Sequence, residues 1–255
     1  MVSLGDCRDV SVDVDDSCVA TVTIHRPPNN FFDYNLIASL VTVFAAVDDC
    51  PGARAIVLAA EGKHFCAGAD FSDTDERAGE LYHEAVGFFT AKTPVVAAVQ
   101  GAAVGGGLGL AMMADFRVAA PEARFSANFS LLGYHHGSGL SVTLPRAIGH
   151  QAALDLLYTG RRVKGAEALE IGLCDELVPL DQLAGAAHAR AATLASAAPL
   201  SLRAIRETMR GDLATLVRTA TDREVIEQHR LERTNDFAEG VAAYAERRKP
   251  NFTGA

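Results

Sequence analysis

Cysteine is scarce in this 255-residue chain and badly placed for cross-linking. Cys7, Cys18, Cys50, Cys66 and Cys174 are odd in number, and no CxxC pair occurs. A disulfide framework or a zinc cage is therefore disfavoured, no metal is expected, and a reducing cytoplasm fits. No apolar run reaches the roughly 18 residues that a bilayer requires, so no membrane span is expected. The opening MVSLGDCRDVSVDVDD is acidic, with no basic stretch ahead of an apolar one, and does not read as a signal peptide. Basic charge is also short. With 23 basic against 32 acidic residues the formal charge is −9, and no long basic run exists. Nucleic acid and anionic membrane surfaces are thus poor partners. The pattern GxxxxGK[ST] is missing, which removes a P-loop. Gly105-Gly106-Gly107-Leu108-Gly109 has neither the G-x-G-x-x-G spacing nor a following acidic ribose ligand, which makes a dinucleotide site weak.

What is present is apolar and periodic. About half of the residues are hydrophobic, enough for a full core. Residues 10–25 alternate and predict two antiparallel strands around a turn at Asp15-Asp16. Residues 26–30 read as a loop. From Tyr34 to Val47 apolar residues recur at helical spacing, with Asp33 as N-cap. Segments 53–60 and 94–99 are continuous apolar runs of strand length, suited to strands buried on both faces. A helix is expected from about Ser72 to Phe89. FRVAA and ARFSAN read as short strands, shorter helices follow between Gly137 and Ile171, and from Leu180 onward the chain reads as almost wholly helical, broken at Pro199 and near Gly211. No repeat or Ser/Pro/Gly-rich linker marks a firm boundary; the working division is a core over 1–195 and a helical C-terminal region over 196–255.

Two glycine-rich turns stand out. Phe65-Cys66-Ala67-Gly68-Ala69-Asp70 follows the strand 53–60, and Gly105 to Gly109 follows the strand 94–99. Each lies after the C-terminal end of a buried strand, where open α/β sheets place ligands. Small residues admit a ligand close to the backbone, and the N–H groups opening a helix carry positive partial charge. Two such turns side by side can aim two donors at one oxygen, an arrangement in which each donor is worth roughly 3–4 kcal/mol in the transition state. The plainer reading is that the glycines serve only tight turns and close helix packing.

Taken with HRPPNN, ARAIVLAAEGKHFCAGADF, TPVVAAVQGAAVGGGLGLAMMADFRVAA, LPRAIG, LYTGRRVKGAEALEIGLCDELVP and DFAEGVAAYAERRKPNF, these turns resemble the crotonase (enoyl-CoA hydratase/isomerase) superfamily over almost the whole chain. The resemblance implies an α/β fold, a spiral of ββα repeats followed by a helical C-terminal region. It implies a homotrimer or a dimer of trimers. It also implies a coenzyme A thioester as substrate, with no permanently bound cofactor, and an oxyanion hole from the backbone N–H groups of Ala69 and Gly106. Contacts to the thioester or its CoA phosphates are expected from Arg26, Lys63, His64, Ala67, Asp70 and Tyr134. Tyr244 and Arg247 match tail positions that in the family contact the cofactor bound to a neighbouring subunit.

The two glutamates that such enzymes use for hydration are absent. Their positions are Gly109 and Phe129, and neither side chain can transfer a proton. From Ala123 to Leu154 there is no Asp or Glu at all. The strong proton-transfer groups in the loop following Gly133 are His135 and His136, with Tyr134 beside them. His136 is the expected principal acid/base group, and His135 orients it or shares the work. Tyr82 and His83 are the reserve candidates. A histidine pair in a glycine-flanked loop is otherwise a structural or surface feature, Asp70 an N-cap, Asp115 a turn-fixing residue, and the Cys66 thiol buried rather than nucleophilic. The leading expectation is an acyl-CoA lyase, isomerase or hydrolase for which ordinary hydration is doubtful. The alternative is a non-catalytic acyl-CoA binding protein on the same fold.

Overall fold

The computed structural model describes Cys7, residues 9–70 and residues 78–255. The expected helix start near Ser72 lies outside the described residues.

Strands β1 (Val10–Val14) and β2 (Val19–Ile24) pair antiparallel. The Asp15 carboxylate closes their turn by accepting the Ser17 N–H at 2.9 Å. Helix α1 (Tyr34–Asp48) begins at Asp33, whose carboxylate accepts the Leu36 N–H at 2.8 Å. β3 (Ala55–Ala60) is followed by helix α2 (Ala78–Ala85), a 3-10 turn at Val86–Thr90 and β4 (Val95–Val99). β5 (Ala102–Val104) leads into α3 (Gly106–Met112); β6 (Phe116–Ala119) and β7 (Arg124–Ser126) come next. A 3-10 turn at Asn128–Leu132 precedes α4 (Leu140–Ile148) and α5 (His150–Thr159). β8 (Arg162–Lys164), α6 (Gly165–Glu170) and β9 (Glu176–Leu177) complete the spiral.

The main sheet runs β1-β2-β3-β4-β6-β9, parallel except for the first pair, and a second sheet runs β5-β7-β8. Alternate residues of the central strands enter two different cores. Ile56, Leu58, Val95, Ala97 and Val99 pack with the α1 stripe of Leu36, Leu40, Val43, Phe44 and Val47. Ala55, Val57, Val96 and Ala98 pack with α7 (Leu183–Ala195) through Leu183, Ala187, Ala191 and Ala195. Burial on both faces is why these strands read as unbroken apolar runs. The four-residue spacing on α7 forms one stripe of mostly small residues that lies close on the sheet.

α8 (Pro199–Arg210), α9 (Leu213–Leu231) and α10 (Asn235–Ala245) fold back over the spiral. Asp115 does more than fix a turn: it accepts the Val95 N–H at 2.8 Å and pairs with Arg206 and Arg210 at 2.9 Å each, tying α8 to the core. The expected breaks at Pro199 and near Gly211 are joined by two more departures from helix: residues 246–255 are non-helical, and a further break separates α9 from α10. The sequence reading also lacked β5, β8 and β9, strands of two or three residues that are too short to show a period. Among the described residues no helix is long and apolar enough to cross a membrane.

Candidate active site

The two glycine-rich turns meet. The Cys66 N–H donates to the Ala102 carbonyl at 2.9 Å and the Val104 N–H to the Cys66 carbonyl at 3.1 Å. On its other side the first turn is held by residues 29–32: the Ala67 N–H donates to the Asn29 carbonyl at 2.9 Å and the Phe32 N–H to the Gly68 carbonyl at 3.1 Å. Asn30, fully buried, fixes the preceding loop by donating its amide to the carbonyls of Glu61 (2.7 Å) and His64 (2.6 Å). The first turn is therefore gripped from both flanks by backbone hydrogen bonds.

The residue before each expected donor is a glycine in left-handed backbone geometry: Gly68 at φ 101° ahead of Ala69, and Gly105 at φ 57° ahead of Gly106. That geometry turns the next peptide N–H out of line and suits glycine. Gly106 opens α3, a position whose N–H has no intrahelical acceptor. Among the described residues the Ala69 N–H has no acceptor either. Space at Gly106 is tight: a Cβ there would lie 2.1 Å from ring carbons of Phe32. A cavity of ≈ 20 Å³, the room of about one water molecule, opens beside Gly106 and Gly109. Its walls are otherwise apolar (Phe32, Leu81, Phe88, Phe89, Leu110 and Met113 among them), apart from Ser138.

Ser138 fills the space beside Gly109, where a Cβ would stand 2.3 Å from the serine Cβ. The Phe129 ring lies 3.7 Å from the Cβ that Gly105 lacks and makes an edge contact with His136, centroids 6.4 Å apart. His135 and His136 stack at 4.2 Å. His136 does not line the cavity; its Nε2 lies 2.7 Å from the Ser141 hydroxyl and 3.8 Å from Glu224. Burial, and then the neighbouring His135, push its pKa down to about 4. His135 Nδ1 lies 2.7 Å from the His136 carbonyl, and the His135 carbonyl accepts the Gln228 amide at 3.0 Å.

Sequence reasoning missed Glu224. It lies on α9, is 1% exposed, and accepts from the Gly139 N–H (2.9 Å), the Ser141 N–H (3.2 Å) and the Ser141 hydroxyl (2.7 Å). Burial raises its pKa, against the pull of those donors. Gln228 on the same helix and Glu232 at its C-cap follow at four-residue steps, so this end of α9 presents one polar ladder to residues 134–141. A polar stripe on an apparently solvated helix was the one available signal.

The other candidate residues have varied surroundings. Arg26 is bound to Asp9 (2.7 Å) and Asp33 (2.8 Å), so its charge is already matched within the chain. Lys63 and Asp70 are exposed. His64 Nδ1 accepts the Ala102 N–H at 3.1 Å, bracing the second turn, and burial, Arg124 and Lys63 lower its pKa. Tyr134 donates to Glu232 at 2.7 Å and packs on Phe237, lining a separate cavity of ≈ 330 Å³ beside the C-terminal residues. Tyr82 meets Gln228 and His83 pairs with Asp222 at 2.9 Å, so both turn toward α9. Cys66 is buried, its thiol pushed up to about 12. Tyr244 and Arg247 lie exposed at the tail, and neither lines the cavity at Gly106. Among the described residues no cluster of His, Cys, Asp or Glu is arranged to hold a metal.

The family model for enoyl-CoA hydratase/isomerase matches residues 15–255. The chain belongs to this family. A probable enoyl-CoA hydratase of Mycobacterium bovis is 34% identical over 249 residues, covering 93% of this chain and 95% of its own. An (E)-benzylidenesuccinyl-CoA hydratase of Thauera aromatica is 34% identical over 251 residues, covering 93% of this chain and 96% of its own. The crystal structure of an enoyl-CoA hydratase/isomerase from Pseudoalteromonas atlantica T6c aligns with TM-score 0.88 at 30% identity, covering 96% of this chain and 100% of that one. The chain is thus a crotonase-superfamily protein, of a family of enzymes acting on acyl-CoA.

Proposed function

We propose that the enzyme binds an acyl-CoA thioester with its carbonyl oxygen between the N–H groups of Ala69 and Gly106. There it stabilises an enolate, with His136, assisted by His135, moving the proton at the adjacent carbon. The observation that carries this reading is the junction of the two turns, where left-handed glycines precede two peptide N–H groups, that of Gly106 at an apolar cavity. Fixed donors in a dry site stabilise developing charge at no reorganisation cost. The acyl group enters the apolar side; the CoA moiety meets Lys63 and, in a trimer-based assembly, Tyr244 and Arg247 of a neighbouring copy.

Ordinary hydration is disfavoured. Ser138 and Phe129 occupy the places where two carboxylates would have to work, and the nearest buried carboxylate, Glu224, faces Ser141 and His136. The reaction classes that remain are isomerisation, C–C cleavage and thioester hydrolysis.

A panel of acyl-CoA thioesters incubated with the enzyme in D₂O, read by mass spectrometry, tests this. Deuterium incorporation next to the thioester carbonyl, with slow or no hydration of crotonyl-CoA, is expected. Binding without exchange or turnover would return the reading to a non-catalytic acyl-CoA binding protein, and rapid crotonyl-CoA hydration would overturn the argument from the missing carboxylates.

A further inference from the structure

Glu224 is the only buried carboxylate among the described residues, and it comes from α9 rather than from the spiral that builds the oxyanion turns. Its hydrogen bonds define a direction. The Ser141 hydroxyl has one hydrogen, and at 2.7 Å it is donated to Glu224. With that hydrogen committed, the contact between His136 Nε2 and the same hydroxyl, also 2.7 Å, requires the imidazole to donate. Neutral His136 then carries its proton on Nε2, and Nδ1 is the basic nitrogen; among the described residues Nδ1 has no partner. The chain imidazole–hydroxyl–carboxylate is continuous, and Ser138, two residues from His136, walls the cavity at Gly106.

We infer that His136, Ser141 and Glu224 form a proton relay, in which Glu224 stores the proton that His136 moves at the thioester. The inference rests on the function proposed above. His136 Nδ1 accepts the proton from the carbon beside the thioester carbonyl, and the C–H electron pair becomes the enolate held at Ala69 and Gly106. In the same event the Nε2 hydrogen passes to Ser141 Oγ, and the Ser141 hydrogen passes to Glu224 Oε1. The imidazole and the hydroxyl end neutral, Glu224 ends protonated, and the negative charge has moved from Glu224 to the enolate. The reverse sequence delivers the proton to the product. Burial acts in the favourable sense at both ends, raising the proton affinity of Glu224 and lowering that of His136. Ser141 and Glu224 are positioning residues that act through His136.

A purely structural account also exists: Glu224 accepts the Gly139 and Ser141 N–H groups and so caps the start of α4. Ser141→Ala separates the two accounts, because it leaves both backbone hydrogen bonds in place and cuts the relay. The probe is butyryl-CoA in D₂O, with exchange followed by mass spectrometry and affinity by calorimetry. Ser141→Ala and Glu224→Gln should each slow exchange by at least about 10²-fold with near-unchanged affinity. The double variant should be no slower than the worse single, since residues of one relay are not additive. Imidazole nitrogen NMR of the ligand-free enzyme should show His136 neutral and protonated on Nε2, and in Ser141→Ala that preference should be lost. Exchange at the wild-type rate in Ser141→Ala, or an unchanged His136 tautomer in that variant, overturns the relay. Should the wild type not exchange butyryl-CoA, the proposed function falls for that substrate, and the tautomer measurement alone decides the relay.

Discussion

The two halves of the candidate site are made of different material. The half that holds the carbonyl oxygen is backbone: Ala69 and Gly106, each set by a left-handed glycine, in turns hydrogen-bonded along both flanks. The half that moves protons is side chain: His136, Ser141 and Glu224, brought together from the loop before α4, the first turn of α4 and α9, which lies more than eighty residues on in sequence. A backbone site tolerates most side-chain changes and fails only when the N–H or the glycine geometry is lost. A side-chain site depends on every partner and on the docking of the helix behind it.

The largest effect should come from breaking the backbone half. Gly106→Pro removes one donor and pushes a ring toward Phe32, where even a Cβ would lie 2.1 Å away. Exchange into butyryl-CoA should fall by at least about 10³-fold, the upper end of the cost of one oxyanion donor. A normal melting curve must accompany the loss. Turnover at the wild-type rate in a folded Gly106→Pro enzyme would remove the oxyanion assignment.

His136→Ala breaks the other half, and should lower kcat by about 10²–10⁴-fold while leaving thioester affinity nearly intact. The pH profile sharpens the contrast, because the peptide donors do not titrate and the imidazole does. An unperturbed imidazole would place the acid limb at about 6.5. With His136 pushed down to about 4 by burial and His135, the base stays unprotonated through neutrality. Two groups therefore shape the acid limb: as pH falls, Glu224, raised by burial, takes up a proton first and closes the relay, and the accepting nitrogen of His136 is protonated only as pH falls through about 4. That limb should vanish in His136→Ala; a limb near 6.5 in wild type would mean that the imidazole is more open to water than the fold indicates.

The same division explains what could be read from the sequence. Buried strands, the α1 stripe and the glycine turns are local patterns, so β3, β4, α1 and residues 65–69 and 105–109 were legible, as was the absence of carboxylates from 123 to 154. Strands of two or three residues lack enough length for a period. Glu224 was illegible because a buried carboxylate on a helix looks like any solvated charge until α9 is docked on the loop. The partners of Arg26 were illegible for the same reason. Arg26 reads as a free cation, and only the fold brings Asp9 and Asp33 onto it.

Docking of the C-terminal helices can be weakened without substituting a residue of either half. Asp115→Ala would leave the largely buried Arg206 and Arg210 without their carboxylate, a change that typically costs about 3–5 kcal/mol. Hydrogen exchange should then rise in α8 and α9 before it rises at the turns 65–69 and 105–109. Equal loss of protection in both regions would mean that the two halves fold as one unit.

The smallest effect is expected at the tail. Tyr244 and Arg247 lie exposed and line neither half of the site within one chain. If they meet the CoA moiety, they do so from a neighbouring copy, and the contact is at a wet rim where a single charge or ring contributes little. Tyr244→Ala and Arg247→Ala should therefore weaken CoA-thioester binding only several-fold, with kcat and melting temperature unchanged. Light scattering should show a trimer or a dimer of trimers for wild type and for both variants. An unchanged affinity in both variants, or a stable monomer at micromolar concentration with full affinity, would confine CoA recognition to residues of the same chain, Lys63 first among them. The split between affinity and kcat is what makes so small an effect informative: a tail contact that also lowered kcat would have to act on the reacting carbonyl, and no residue of 244–247 borders the cavity at Gly106.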